Sequence, residues 1–259
     1  MKKKIVIFGC GRLAEIVAKA VADNILPEYE LVGAYSRTFA KAEHIASIVE
    51  GCKACASFEE LLALKPDFLV EAASPAGMKE IAIPTLKNGT SIITLSIGAL
   101  ADNEFKALAA ETARENGVKI YIASGATGGF DVLRTAALMG GASANFFNNK
   151  GPAALRKNPV YEASLETEQK IVFSGTAREA INTFPTGLNV AVAASLASVG
   201  PEKMQVKMQS TPGFVGDTQR VEIRNEQVHA VVDVYSATPE IAAWSVVSTL
   251  LNIASPIEF

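Results

Sequence analysis

The stretch Lys3-Lys4-Ile5-Val6-Ile7-Phe8-Gly9-Cys10-Gly11-Arg12-Leu13-Ala14 constrains this chain more than any other. An apolar run of strand length stops at Gly9, and a helix-like stretch from Arg12 to Asp23 follows at once. Gly9 permits a tight turn, Gly11 lets the backbone approach a ligand closely, and Ala14 stands where the helix must pack against the strand. The N–H groups of the helix N-terminus, where Arg12 and Leu13 stand, are then expected to face an anion. The pattern is GxGxxA, and a second strand, Glu30 to Tyr35, follows the helix at βαβ spacing. Strand, turn and helix in this order form a cradle for a dinucleotide's pyrophosphate.

The end of the second strand bears on which dinucleotide. NAD-restricted sites carry an acid there to take the ribose 2′-OH. Here Leu31-Val32-Gly33-Ala34-Tyr35 runs into Ser36-Arg37-Thr38, with no acid in place. Two hydroxyls and a guanidinium suit a 2′-phosphate, which favours NADP, or dual use, over strict NAD. Arg37 as a solvated loop charge, or stacked on the adenine, remains open.

Composition excludes several classes. Of 259 residues 49% are hydrophobic, with 24 basic and 27 acidic residues, which describes a globular chain able to form one large or two modest domains. The slightly negative balance offers no nucleic-acid surface, and Lys2-Lys3-Lys4 is a solvated lead-in to the first strand. No secretory signal and no membrane span are expected, since Ile5 to Phe8 is only strand-length and no apolar stretch reaches ~18 residues. Cys10, Cys52 and Cys55 read as reduced thiols of a cytoplasmic protein, because the Cys52–Cys55 pair has no partner motif to complete a metal site.

Farther along, helices at 40–49, 78–88 and 102–116 alternate with strands at 53–56, 68–73, 91–95 and 119–123. This alternation predicts an α/β fold: a doubly wound parallel Rossmann sheet whose ligand lies along the strands' C-terminal ends. Ser57 and Glu60 form a capping-box pattern before a short helix. Ser74-Pro75-Ala76-Gly77 reads as the loop beside the cofactor's ribose and nicotinamide, which adds Ser74 and Pro75 to the candidate contacts.

After residue 124 the strands change character. Runs at 143–147, 171–174, 205–209, 220–223 and 228–234 alternate with period two, which predicts a mainly antiparallel sheet with one wet face. An Ala- and Val-rich helix within 185–198 is expected to lie on it. The expected domains are therefore 1–124, a dinucleotide-binding Rossmann unit, and 125–238, an α+β unit for substrate and dimerisation. The C-terminal segment 239–259 carries a helix expected to return to the first domain or to meet a partner subunit.

Three stretches together resemble the L-aspartate dehydrogenase family over nearly the whole chain. They are Gly9-Cys10-Gly11; the Ala123-Ser124-Gly125-Ala126-Thr127-Gly128-Gly129-Phe130-Asp131 loop, similar to the family's SGAIGGLD; and the run from Phe173 to Ala180 continued by Phe184 to Ala191, similar to its FxGxARxA and FPxNxNVA segments. The resemblance implies oxidation of L-aspartate to iminoaspartate with NAD or NADP as hydride acceptor, a homodimer, and a place in pyridine nucleotide synthesis. It also implies cofactor contacts from Ala123, Ala126 and Asn189. The chemistry of Asn189 alone leaves a helix N-cap equally open.

One position departs from the family. Its proposed catalytic histidine, within an NVHEI-like run, aligns with Gln219 of Thr218-Gln219-Arg220-Val221-Glu222-Ile223. Imidazole exchanges protons near neutral pH, whereas a carboxamide only donates and accepts hydrogen bonds. His229, one hairpin away, is the candidate replacement if strand pairing brings it to the same pocket; its alternative is a strand-face histidine without catalytic role. His44, Lys79 and Lys87 read as surface groups, while Arg178 and Arg220 are candidates to hold a substrate carboxylate. Three functions share these features: an aspartate dehydrogenase, a dehydrogenase of another amino or hydroxy acid, and a non-catalytic NADP(H) sensor.

Overall fold

The computed structural model describes residues 2–184 and 188–258. Its first unit comprises residues 1–123 and 242–259. β1 (Lys3–Phe8), α1 (Arg12–Ala22), β2 (Tyr29–Tyr35), α2 (Phe39–Ile48), β3 (Lys53–Cys55) and α3 (Phe58–Ala63) form its first half. β4 (Phe68–Glu71), α4 (Pro75–Lys87), β5 (Ser91–Thr94), α5 (Asn103–Glu115) and β6 (Ile120–Ile122) form the second. Among the described residues these strands build one parallel sheet in the order β3-β2-β1-β4-β5-β6. That order reverses direction at β1 and β4, the topological switch point where such sheets take ligands.

The central strand shows why the sheet needs helices on both faces. Ile5, Val6 and Ile7 are fully buried. Ile5 and Ile7 join the core of α1 and α2 with Val17, Ala18 and Ile45, whereas Val6 and Phe8 join that of α3 and α4 with Leu61, Met78 and Ile81. Each large aliphatic side chain so buried contributes roughly 1.5–3 kcal/mol. The last helix, α9 (Glu240–Ala254), lies on the first of these layers through Val246, Val247 and Leu250. There the Tyr29 hydroxyl donates to the Leu250 carbonyl at 2.7 Å.

The segment after β4 differs from its expected loop. Helix α4 already begins at Pro75, because Ser74 caps it by accepting from the Gly77 N–H at 3.1 Å and proline fits the first helical position. The single acid of β4, Glu71, is fully buried. It accepts from the N–H groups of Ala73 (2.8 Å), Ser74 (3.1 Å) and Ser96 (3.2 Å) and from the hydroxyls of Thr94 (2.7 Å) and Ser96 (2.9 Å). Burial pushes its carboxyl above the ordinary range, against the pull of these hydrogen bonds.

The second unit, residues 124–241, contains α6 (Phe130–Leu138), β7 (Ser143–Lys150), β8 (Lys170–Thr176), α7 (Ala177–Thr183) and α8 (Asn189–Leu196). β9 (Gln205–Ser210), β10 (Asp217–Arg224) and β11 (His229–Ser236) complete its sheet, ordered β11-β10-β7-β9-β8. The pairs β11–β10, β10–β7 and β8–β9 are antiparallel, and β7–β9 is parallel. Period-two alternation is common to both senses, so it could not reveal the parallel pair. One sheet face carries Ala144, Phe146, Val206, Val221 and Ile223 into a core with α6, α7 and α8. α9 (Glu240–Ala254) then leads back into the first unit. Among the described residues no helix is long and apolar enough to cross a membrane.

The Glu71 arrangement yields a direct test. Each carboxylate oxygen receives at least one backbone N–H, so either orientation of a glutamine amide sets N–H against N–H. Glu71→Gln should therefore cost about 1–3 kcal/mol despite its near-identical shape, measured by urea denaturation.

Candidate functional site

In the first unit, Gly9 adopts φ +94° and its N–H donates to the Tyr35 carbonyl at 2.9 Å. A Cβ there would lie 2.7 Å from both the Cβ and the backbone N of Ala73, so the position admits glycine alone. Gly11 caps α1 without any side-chain hydrogen bond, and a Cβ on it would meet nothing within 4 Å. Backbone that borders open space at an uncapped helix start fits a pyrophosphate.

A cleft of about 320 Å³ opens here, lined by the Gly9–Gly11 turn, the end of β2 at Tyr35, Ser36 and Arg37, and Ala72 to Ser74 after β4. Phe8 stacks on Tyr35 with ring centroids 5.6 Å apart and meets Phe58 edge-on at 5.7 Å, giving the cleft an aromatic wall. Lys41 adds a second cation beside Arg37, and Glu80 is the one acid among the lining residues. Arg12 and Leu13 open α1 without lining this cleft; Thr38 is the N-cap residue of α2, with no side-chain capping bond. Pro75 also stays off the lining, and Ala123 is fully buried after β6.

Cys10 lines the cleft as a free thiol, and Cys52 and Cys55 are free as well. Burial pushes the Cys10 and Cys52 thiols up to about 12, and raises Cys55 too. No group of metal-ligating side chains occurs among the described residues.

In the second unit the loop before α6 turns at Gly125 (φ +66°), where a Cβ would stand 3.5 Å from Val190. The loop of Ala126 thus reaches the start of α8 next to Asn189. Asn189 is the first helical residue and Leu188 the N-cap, which removes the N-cap alternative for Asn189. Beside Ala126, the Thr127 hydroxyl is buried without a hydrogen-bond partner among the described residues. Pro185 to Gly187 of the family-like segment lie outside the described residues.

Gln219 points into the covered face of the sheet, 5% exposed, between Asn148 of β7 and Val234 of β11. His229 does not join it. It pairs with Arg224, on the opposite face from Val234, where its Nε2 lies 2.8 Å from Glu222 Oε1. The pairing that was to bring this imidazole to Gln219 instead turns it away. Nor do the expected arginines stand ready for a carboxylate: Arg178 engages Glu202 at 2.7 Å, and Arg220 engages Asp233 at 2.9 Å. Lys79 pairs with Asp102 at 2.7 Å, and His44 lies 3.4 Å from Glu15.

Known proteins resemble this chain over both units. Residues 9–123 match the homoserine dehydrogenase NAD-binding domain model, and residues 131–253 match the aspartate dehydrogenase C-terminal model. The chain is 32% identical to L-aspartate dehydrogenase of Methanococcus maripaludis (strain C6) over 265 residues, covering 98% of each. The chain belongs to the L-aspartate dehydrogenase family. L-Aspartate dehydrogenase of Methanosarcina mazei is likewise 32% identical, over 98% of both chains. The family's fold is shared with the crystal structure of aspartate dehydrogenase from Thermotoga maritima, which matches all of both chains with a TM-score of 0.79 at 24% identity. A hyperthermophilic archaeal homoserine dehydrogenase in complex with NADPH matches 99% of both with a TM-score of 0.66 at 15% identity.

Sequence reasoning missed Phe8, Tyr35, Phe58 and Lys41 as cleft residues. Phe8 and Tyr35 were legible as strand ends, but only the sheet order places Phe58 and Lys41 with them. Two outcomes follow. Gly9→Ala should destabilise the fold, whereas Gly11→Ala should leave the melting temperature unchanged and weaken dinucleotide affinity by ~10-fold, read by calorimetric titration. The raised thiol values keep Cys10 and Cys52 protonated at pH 8, so a thiol reagent such as dithiobis(nitrobenzoate) should react with them ~10³-fold faster in denaturant than in the native protein.

Proposed function

We propose that this chain oxidises L-aspartate to iminoaspartate, with NADP preferred over NAD as hydride acceptor. The observation that carries the reaction is the match to L-aspartate dehydrogenases over 98% of both chains. The Gly9–Gly11 turn and the uncapped start of α1 would hold the pyrophosphate. Ser36, Arg37, Thr38 and Lys41 would take the 2′-phosphate, because two cations outweigh the single acid of the lining. Ala123, Ala126 and Asn189 are the further cofactor contacts on this reading, with Ser74 and Pro75 shaping the segment that starts α4. When bound, the nicotinamide supplies the hydride chemistry, and the protein contributes binding, orientation and electrostatics.

Gln219 sets a limit on what the residues can do. It can orient a substrate or a water by hydrogen bonding, but it cannot exchange the proton that an imidazole would. The proton released on forming the imine then passes to solvent or to another group, and the rate constant falls accordingly. This departure also favours a second reading, a dehydrogenase on the same scaffold for another amino or hydroxy acid. Exposed Trp244 and Leu251 on α9 support a homodimer, tested by light scattering, and the reduced thiols fit a cytoplasmic site.

The decisive assay follows absorbance at the NADPH band with oxaloacetate, ammonia and each reduced cofactor in turn. Oxidation of NADPH with a KM ~10-fold below that of NADH supports the proposal. Turnover only with other 2-oxo acids supports the second reading, and binding without turnover of any acid supports a sensor. The pH dependence of kcat should lack a limb in the imidazole range near ~6.5. Gln219→His should introduce that limb and raise kcat by ~10-fold or more.

A further inference from the structure

The covered face of the second unit's sheet changes from apolar to polar along its length. Phe146, Val206 and Val221 lie side by side in one row across β9, β7 and β10. One strand repeat farther, Asn148 stands opposite Gln219; one more, Lys150 stands opposite both Asp217 and Ser210. Asn148 and Ser210 are fully buried.

The hydrogen-bond inventory of this polar end is unbalanced in a specific sense. The Asn148 amide nitrogen donates to Asp217 Oδ1 and to the Thr218 carbonyl, the latter at 2.9 Å. Both partners are acceptors, which fixes which end of the amide is oxygen. That oxygen, Asn148 Oδ1, has no partner among the described residues, and neither has the Ser210 hydroxyl. Lys150 Nζ lies 2.9 Å from Asp217 Oδ2, with both side chains largely sheltered. Native proteins rarely leave buried polar groups unmatched, and such exceptions mark a ligand or an ordered water. The end of the face therefore presents one acceptor that needs an N–H, one hydroxyl of either sense, and one cation. By strand geometry all three side chains spring from within roughly 8 Å on the same face.

We propose that Asn148, Lys150 and Ser210 form the polar subsite for a 2-amino or 2-imino acid, whose nitrogen donates to Asn148 Oδ1 and whose carboxylate meets Lys150 Nζ and the Ser210 hydroxyl. Asp217 balances Lys150 and holds Asn148 in orientation, so it is a positioning residue. Gln219, adjacent to Asn148, lies beside the bound nitrogen, where a carboxamide can hold the group without deprotonating it. The inference rests on the amino-acid dehydrogenase reading and adds the residues that would grip the substrate.

Ser210→Ala, Lys150→Met and Lys150→Arg test it in the full chain. Ser210→Ala removes a hydroxyl with no partner among the described residues, so the melting temperature should stay or rise, while KM for L-aspartate rises ~5-fold and NADPH affinity is unchanged. Lys150→Met should raise that KM by ~30-fold or more, and Lys150→Arg should recover most of the loss. KM unchanged in both Ser210→Ala and Lys150→Met would mean that an ordered water alone satisfies these groups and would overturn the subsite. So would NADPH affinity falling in step with KM. If the wild type fails to turn over L-aspartate, the activity reading falls separately. The subsite is then judged by thermal shift of the NADPH complex with L-alanine, L-glutamate, pyruvate and oxaloacetate. Stabilisation by any of these that Lys150→Met abolishes sustains it, and stabilisation by none overturns it.

Discussion

A buried carboxylate, Glu71, holds together the end of the first unit's sheet beside the Gly9–Gly11 turn. Glu71 gathers five donors from the ends of β4 and β5, fixing the backbone of Ala73, Ser74 and Ser96 where the sheet stops. The Gly9 turn leans on that same backbone, since a Cβ at Gly9 would strike the nitrogen of Ala73 at 2.7 Å. The Phe8 carbonyl accepts from Ala72, and the Gly9 N–H donates to Tyr35, so the ends of β2, β1, β4 and β5 are tied into one rim. On the proposed reading the turn would cradle a phosphate with backbone N–H groups, which requires a preorganised backbone, and this rim supplies rigidity.

The second unit uses its sheet differently. Its covered face serves as core along most of its length and turns polar at one end, where Asn148, Lys150, Ser210, Asp217 and Gln219 collect. In a low-dielectric setting each polar group there is costly unless matched, which is why the two unmatched atoms carry chemical information. The opposite face is where the sequence's remaining titratable candidates go. His229 with Glu222 and Arg220 with Asp233 form ordinary half-exposed pairs of a wet sheet face.

The placement of Gln219, where the resemblance implies a histidine, follows from strand parity. A strand residue's face is fixed by its parity relative to its neighbours, and Gln219 shares its face with Val221 and Ile223 in the core. His229 is of the wrong parity to share that face across the β10–β11 ladder, so the histidine that sequence distance made plausible is sterically out of reach. The His229 imidazole therefore does not stand in for proton exchange beside Gln219.

Much of this was legible in the residues themselves. The βαβ unit, the missing acid after β2 and the change of period near residue 124 are local patterns, written by strand, turn and helix propensities that act over a few neighbours. Gly9 announced the turn because only glycine tolerates its backbone and its closeness to Ala73, whereas Gly11 borders open space and was legible only through the motif. The sequence by itself thus determined the elements, the two-part architecture and the cofactor class. It could not settle the parallel β7–β9 pair, the start of α4 at Pro75, or the gathering of Phe58 and Lys41 at the cleft. Nor could it show that Glu71 would be a hub, that Arg178 and Arg220 would be engaged elsewhere, or that Asn148 and Ser210 would be left unmatched beside Lys150. Those outcomes depend on which strands become neighbours and in what register, and register is fixed only when the whole hydrophobic face is buried at once.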